Sequence, residues 1–163
     1  NTTLKIMNNK DELRKFVYKA GMATYAGGGK EEESPERLGF KELVYTEGDW
    51  NYRDSYTGFT RSRGMEVVRY QGNPVWSTSY GGGMIKGKED SAKQTFSFLK
   101  KTMLAKDQNT FSARGPLNLT DGDWEYKYVQ DGDIEEFNGY EEIHYRGEQV
   151  FFHRIIGGII KGK

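Results

Sequence analysis

The chain has 163 residues, 14% of them aromatic, and its 24 Lys+Arg balance 24 Asp+Glu. That length fits one domain over 1–163 that buries roughly 70% of its unfolded surface without a metal or disulfide. Zero net charge argues against nucleic acid as a partner, no apolar run approaches the roughly 20 residues of a membrane span, and the absence of cysteine excludes thiolate chemistry and fits a cytoplasmic protein.

The start, NTTLKIMNNKDELRK, has no signal-peptide core. Leu13, Phe16, Val17 and Ala20 fall at the spacing of one helix face, with Asn9 or Asp11 as cap. Ala26–Gly39, with three glycines and three glutamates in runs, reads as a surface loop or a binding loop. Lys41–Thr46 is short and mixed. Glu47-Gly48 and Gln71-Gly72-Asn73 are turn signals, and the residues between them alternate as strands, with Trp50, Tyr52 and Tyr56 on one face. A second helix follows Asp90 and Ser91, with Ala92, Phe96, Leu99 and Met103 on its apolar face. Asp121-Gly122 and Arg146-Gly147-Glu148 then punctuate a second set of strands.

These two sets match each other. Gly48-Asp49-Trp50-Asn51-Tyr52 recurs as Gly122-Asp123-Trp124-Glu125-Tyr126, and the stretch from Gly64 to Gly72 recurs from Gly139 to Gly147. Gly82-Gly83-Met84-Ile85-Lys86-Gly87-Lys88 recurs at the end as Gly157-Gly158-Ile159-Ile160-Lys161-Gly162-Lys163. The offset is 74 residues early and 75 later, which places a one-residue change between Gly58 and Gly64. The chain therefore reads as an internal duplication with halves at about 9–88 and 90–163. The expected fold is α+β: each half a helix followed by an antiparallel meander of three or four strands, both sharing one core. Successive strands joined by tight turns must be antiparallel. A cystatin-like roll, a curved sheet wrapping its helix, is the fold analogy for each half.

With those residues in view, the chain resembles a prokaryotic domain family of unknown function whose members often follow the helix-turn-helix domain of small transcription regulators. The resemblance runs from Phe16 onward. It rests on Thr24-Tyr25-Ala26-Gly27, Tyr52-Arg53-Asp54-Ser55-Tyr56 with Gly58, Gly64-Met65-Glu66, and Pro74-Val75-Trp76 to Tyr80. In the second half it rests on Gly122-Asp123, Phe137 through Ile143, and Gly157-Gly158. Departures are Ser62, where the pattern has an aromatic, Ser79, where it has Asn, and Ser34-Pro35-Glu36-Arg37, where it has Ser-Arg-Pro. The resemblance implies a stand-alone copy of an effector or sensor module and supplies neither ligand nor reaction.

Glu66 and Glu141 are the leading candidate residues. Alternation puts Glu66 beside Val68 and Tyr70, and Glu141 beside Ile143 and Tyr145. A carboxylate on an apolar, aromatic face is costly unless it is paired or used. Convergence of the two about a pseudo-twofold axis would suit a cationic organic ligand or acid/base chemistry in a hydrolase. The plain alternative ties each to an arginine or to backbone amides. Asp54 has no acidic counterpart, since Tyr128 aligns with it. The aromatic rows Trp50, Tyr52, Tyr56; Trp76, Tyr80; and Trp124, Tyr126, Tyr128 read as core packing or as a polar-tipped aromatic cleft, with Tyr145 beside them.

Gly82 to Lys88 matches the opening of a phosphate-binding loop, but Glu89 stands where that loop needs Ser or Thr, and no parallel sheet is expected. His144, His153 and Glu142 are the sole histidine-based metal candidates; alternation turns His144 to solvent, and neither metal nor cofactor is expected. No Gly-x-Ser-x-Gly elbow supports a serine triad. The leading functional expectation is a non-enzymatic small-molecule-binding or sensor-type module with an aromatic, carboxylate-lined pocket. The alternatives are a hydrolase using Glu66 and Glu141, and a protein-interaction module that dimerises with its own copy through a sheet edge or an aromatic face.

Overall fold

A computed structural model describes residues 2–26 and 28–162, and of Thr3, Tyr25 and Ala26 the backbone alone. Gly27 and Lys163, which belong to motifs named above, and Asn1 lie outside the described residues. The chain begins with α1 (Thr2–Asn8) and α2 (Lys10–Gly21), and α2 runs into a π-helical turn (Met22–Ala26). Asn9 caps α2, its side chain accepting from the Glu12 amide at 3.3 Å. Leu13, Phe16, Val17 and Ala20 form the buried stripe that their spacing requires.

Four strands follow: β1 (Lys41–Glu47), β2 (Trp50–Gly58), β3 (Arg61–Tyr70) and β4 (Asn73–Met84). After a 3₁₀ turn, α3 (Ala92–Leu104) leads through a connector to β5 (Asn118–Asp121), β6 (Trp124–Asp133), β7 (Glu136–Tyr145) and β8 (Glu148–Ile159). The fold is thus α+β, three α-helices with one eight-stranded antiparallel sheet in the order β1-β2-β3-β4-β8-β7-β6-β5. No helix is long and apolar enough to cross a membrane among the described residues.

The two meanders correspond in detail. The β3–β4 ladder slips between Val68 and Arg69, and the β7–β8 ladder slips between Ile143 and His144, its counterpart 75 residues on. Both slips accommodate a buried valine, Val75 or Val150. Both turns beside them carry two residues in the left-handed region, Gln71-Gly72 and Arg146-Gly147, the conformation that a two-residue hairpin favours. The one-residue change in offset sits in a hairpin: residues 59–61 separate the paired Gly58 and Ser62, whereas 133–136 separate Gly132 and Phe137. In the central β4–β8 ladder, Tyr80 lies opposite Ile155, its own counterpart under the offset.

All three helices contribute to one apolar core against the sheet face bearing Trp50, Val68, Trp76, Tyr126, Ile143 and Phe151. Each half places a helical phenylalanine on the tryptophan of its first long strand. Phe16 stacks on Trp50 at 5.3 Å, and Phe98 stacks on Trp124 at 5.5 Å. Such pairs add about 0.5–1.5 kcal/mol each beyond the area they bury. In α3 the stripe is broader than its sequence period indicates: Thr95, Phe98 and Thr102 are buried together with Ala92, Leu99 and Met103, while Phe96 is only partly buried. Phe96 turns instead to Phe59 and Phe151, at 5.3 and 6.0 Å, because α3 packs against the core on one side and borders a cavity on the other.

Candidate functional site

That cavity, of about 320 Å³, lies between the helices and the sheet. Its floor is built by β2, β3, β4 and β8, which supply Tyr52, Asp54, Ser62, Glu66, Tyr80 and His153. Its roof is Met22 of the π-helical turn, Phe96, Leu99 and Met103 of α3, and Lys106, Ala113 and Arg114 of the connector. The floor is polar and the roof largely apolar, the division of labour common in small-molecule sites.

Asp54 and Glu66 are direct cross-strand partners. The Tyr80 hydroxyl donates to Asp54 Oδ1 at 2.7 Å, and the Tyr52 hydroxyl donates to Glu66 Oε1. Neither carboxyl group has an ion-pair partner among the described residues. Burial, followed by the charge of Glu66, pushes Asp54 up to about 7 against the pull of Tyr80 and Arg114. Burial also raises Glu66, opposed by the Tyr52 hydrogen bond and by Arg114 and Lys106. Two carboxyls this close in a poorly solvated site resist double ionisation and titrate as a pair. Tyr80 reaches Asp54 by crossing β3 at Gly64, its cross-strand neighbour, where a Cβ would run into the Tyr80 ring.

Glu141 has a different environment. It is fully buried and does not line the cavity. Arg114 grips it with Nε to Oε2 at 3.0 Å and Nη2 to Oε1 at 2.9 Å. Tyr126 donates to Oε2 at 2.6 Å, and His153 Nδ1 lies 3.1 Å from Oε1. Burial alone would raise this carboxyl, but the Arg114 charge and the bonds from His153 and Arg114 outweigh it and hold it at about 2. Paired in this way, Glu141 favours its ionised form over the proton-donating one. The two glutamates also do not face each other: β4 and β8 separate their strands, about 14 Å at the usual spacing.

His153 is buried, and burial lowers its pKa, opposed by its bond to Glu141. Nδ1 also lies 3.3 Å from Arg114 Nη2, which only donates; the shorter contact, to a carboxylate that only accepts, puts the proton on Nδ1. Its other nitrogen, Nε2, is then an acceptor 3.4 Å from Ser62 Oγ. Lys106 donates to the Ser112 carbonyl at 2.9 Å. Burial brings Lys106 down to about 8, with Glu66 and Glu141 resisting and Arg114 assisting.

Of the residues singled out from sequence, Tyr52, Asp54, Tyr56, Glu66 and Tyr80 line the cavity. The others do not. Trp50 packs between Phe16 and Tyr70, Trp76 stacks on Phe137 and donates to the Ile134 carbonyl at 2.9 Å, and Trp124 lies between Phe98 and Tyr145. Tyr126 lies behind the cavity wall, bonded to Glu141 and the Gly115 amide. The glycine-rich stretch continues as strand through Met84, and Lys88 is paired with Glu148. His144 bonds Glu142 at 3.1 Å on the sheet face opposite His153, and no three His, Asp or Glu side chains are placed to hold a metal among the described residues.

Sequence reasoning missed Arg114, Lys106 and Ser62 as site residues and weighed His153 only as a metal ligand. Glu141 on an apolar face does demand a cation, but Arg114 comes from an irregular connector that no periodicity marks.

These features define a class: an α+β protein whose single antiparallel sheet floors a cavity bearing a carboxyl pair, with a buried arginine-paired carboxylate beside it. The chain belongs to the family described as Domain of unknown function (DUF5680), whose model matches residues 54–160. No curated protein and no solved structure matches it.

Proposed function

We propose that the chain binds a small organic molecule with a protonated amine head and an apolar body in this cavity. The observation that carries the reading is the Asp54–Glu66 pair on the cavity floor without an ion-pair partner. Among the described residues, Arg114 and Lys106 are the buried cations acting on Asp54 and Glu66; Arg114 is bound to Glu141, and Lys41 at the rim pairs with Glu31 at 3.6 Å. A bound monocation favours full ionisation of the Asp54–Glu66 pair and complements the charge that the pair then carries. Phe59, Phe96, Leu99, Met103 and Phe151 would pack the apolar body, and Tyr52 and Tyr80 offer ring faces to the cation.

The correspondence of the halves supports a duplicated scaffold in which one half specialised. The Tyr52–Glu66 bond repeats as Tyr126–Glu141, and the second carboxylate has in addition a direct ion pair with Arg114. A sensor-type role follows from the roof, since α3 and the π-helical turn are the elements a ligand presses against. The resemblance to domains that follow helix-turn-helix units supports that use.

The test is calorimetric titration at pH 8 with arylalkyl amines and with carboxylic acids of the same size. The amines bind, and their affinity falls at least tenfold with Asp54→Asn or Glu66→Gln. Equal binding of the acids, or amine binding indifferent to both substitutions, rejects the reading.

A further inference from the structure

Ser62, His153 and Glu141 form a row across four adjacent strands. Ser62 on β3 pairs with Gly82 on β4, Gly82 pairs with His153 on β8, and His153 pairs with Glu141 on β7. The middle position lacks a side chain, and that gap lets Ser62 Oγ and His153 Nε2 approach to 3.4 Å over β4. A Cβ at Gly82 would meet the Phe152 carbonyl oxygen and would lie 3.0 Å from His153 Cδ2. On the far side, His153 Nδ1 is 3.1 Å from Glu141 Oε1 and 3.3 Å from Arg114 Nη2, Arg114 and Tyr126 fix that carboxylate, and the charges of Arg114 and Arg63 also act on the ring. Ser62 and His153 both line the cavity. A hydroxyl bonded to an imidazole, itself oriented by an ionised carboxylate, is the arrangement that activates a serine nucleophile.

We propose that Ser62 is a nucleophile activated by His153, and that the cavity accepts the acyl group of a small carboxylic ester. Ser62 Oγ bonds to the ester carbonyl carbon while its proton passes to His153 Nε2. The carbonyl electron pair moves to oxygen, and Arg114 and Lys106 supply positive charge to the same cavity. Collapse breaks the bond to the alcohol oxygen, which leaves with the proton from His153, and Ser62 remains acylated. Water, giving a proton to His153, then attacks the acyl carbon; the carboxylic acid departs and Ser62 recovers its proton. Glu141 is the positioning residue. It holds the proton on Nδ1 and stabilises the imidazolium. Only a preference for amine-bearing esters rests on the binding reading above.

The experiment uses the full chain with an alkyl fluorophosphonate, read by intact and peptide mass spectrometry, and with p-nitrophenyl acetate. The expected result is one phosphonyl adduct at Ser62 and ester turnover, both abolished by Ser62→Ala, with the variant's circular dichroism unchanged. Glu141→Gln slows labelling at least tenfold and moves its pH midpoint down, as loss of the negative charge beside His153 requires. A merely structural role would leave the midpoint in place. No adduct, an adduct elsewhere at equal rate, or turnover that survives Ser62→Ala overturns the proposal. Amine binding is measured on the unmodified protein without any ester, so the two readings fail separately.

Discussion

Arg114 binds Glu141 with one guanidinium edge, through Nε and Nη2 at 3.0 and 2.9 Å, whereas Glu66, the corresponding residue of the first half, faces Asp54 across the β2–β3 ladder. One carboxylate is thereby locked as a structural anion, and the other remains available on the cavity floor. The difference comes from one residue in the connector after α3, and it sets the charge of the cavity.

Arg114→Ala leaves Glu141 buried without its main counter-ion. Breaking a buried pair from one side costs about 3–5 kcal/mol. Urea unfolding at pH 7 is the measurement. A loss under about 1 kcal/mol, the range of exposed ion pairs, would mean that water reaches Glu141.

Stability should fall as pH rises from about 4 to about 7 through the Asp54–Glu66 pair. Both groups have raised pKa values in the folded state, Asp54 at about 7. In that window the folded chain holds protons that the unfolded chain has released, so folding weakens with rising pH. His153, lowered by burial, acts in the opposite sense on the acid side of its usual pKa. Asp54→Asn isolates the carboxyl contribution: it should stabilise the protein by a few kcal/mol at pH 8, because each tenfold change in proton affinity on folding is worth roughly 1.4 kcal/mol, and by little at pH 4. Glu141, held at about 2, works the other way, and its contribution disappears as pH drops from about 4 toward 2. Urea midpoints across pH for the two proteins check both signs. A flat difference would show that Asp54 is solvated.

Gly64→Ala and Gly82→Ala should separate the two crossings over the sheet. At Gly82, with φ +148°, the new Cβ meets backbone oxygen, so a loss of about 2 kcal/mol or more follows from strain and overlap together. At Gly64 the obstacle is the outer end of the Tyr80 ring, which swings away. The stability loss is smaller, and Asp54 moves further up as its Tyr80 bond breaks. Gly72→Ala, at an open turn with φ +80°, is the control at about 1 kcal/mol. Thermal unfolding ranks the three, and a Gly82 variant no worse than the Gly72 control would contradict the close approach.

The sequence by itself determined the two helix-plus-meander units, because local periodicity and turn chemistry suffice for elements whose neighbours in chain are their neighbours in space. The stripe of α2 and the tight turns follow from such short-range rules; the hairpin that absorbs the one-residue change shows in the sequence only as a shift in the repeat. Alternation likewise placed Asp54, Glu66 and Glu141 on the apolar face. Tertiary structure alone decided what those carboxylates meet. The β4–β8 junction sets Ser62 and His153 on either side of Gly82, and the connector after α3 delivers Arg114 to Glu141 and Lys106 to the cavity. Those contacts join residues 27 to 91 positions apart. Long-range partners like these are chosen by the packing of the whole chain, and charge or residue type in one segment carries no record of which distant segment will answer it.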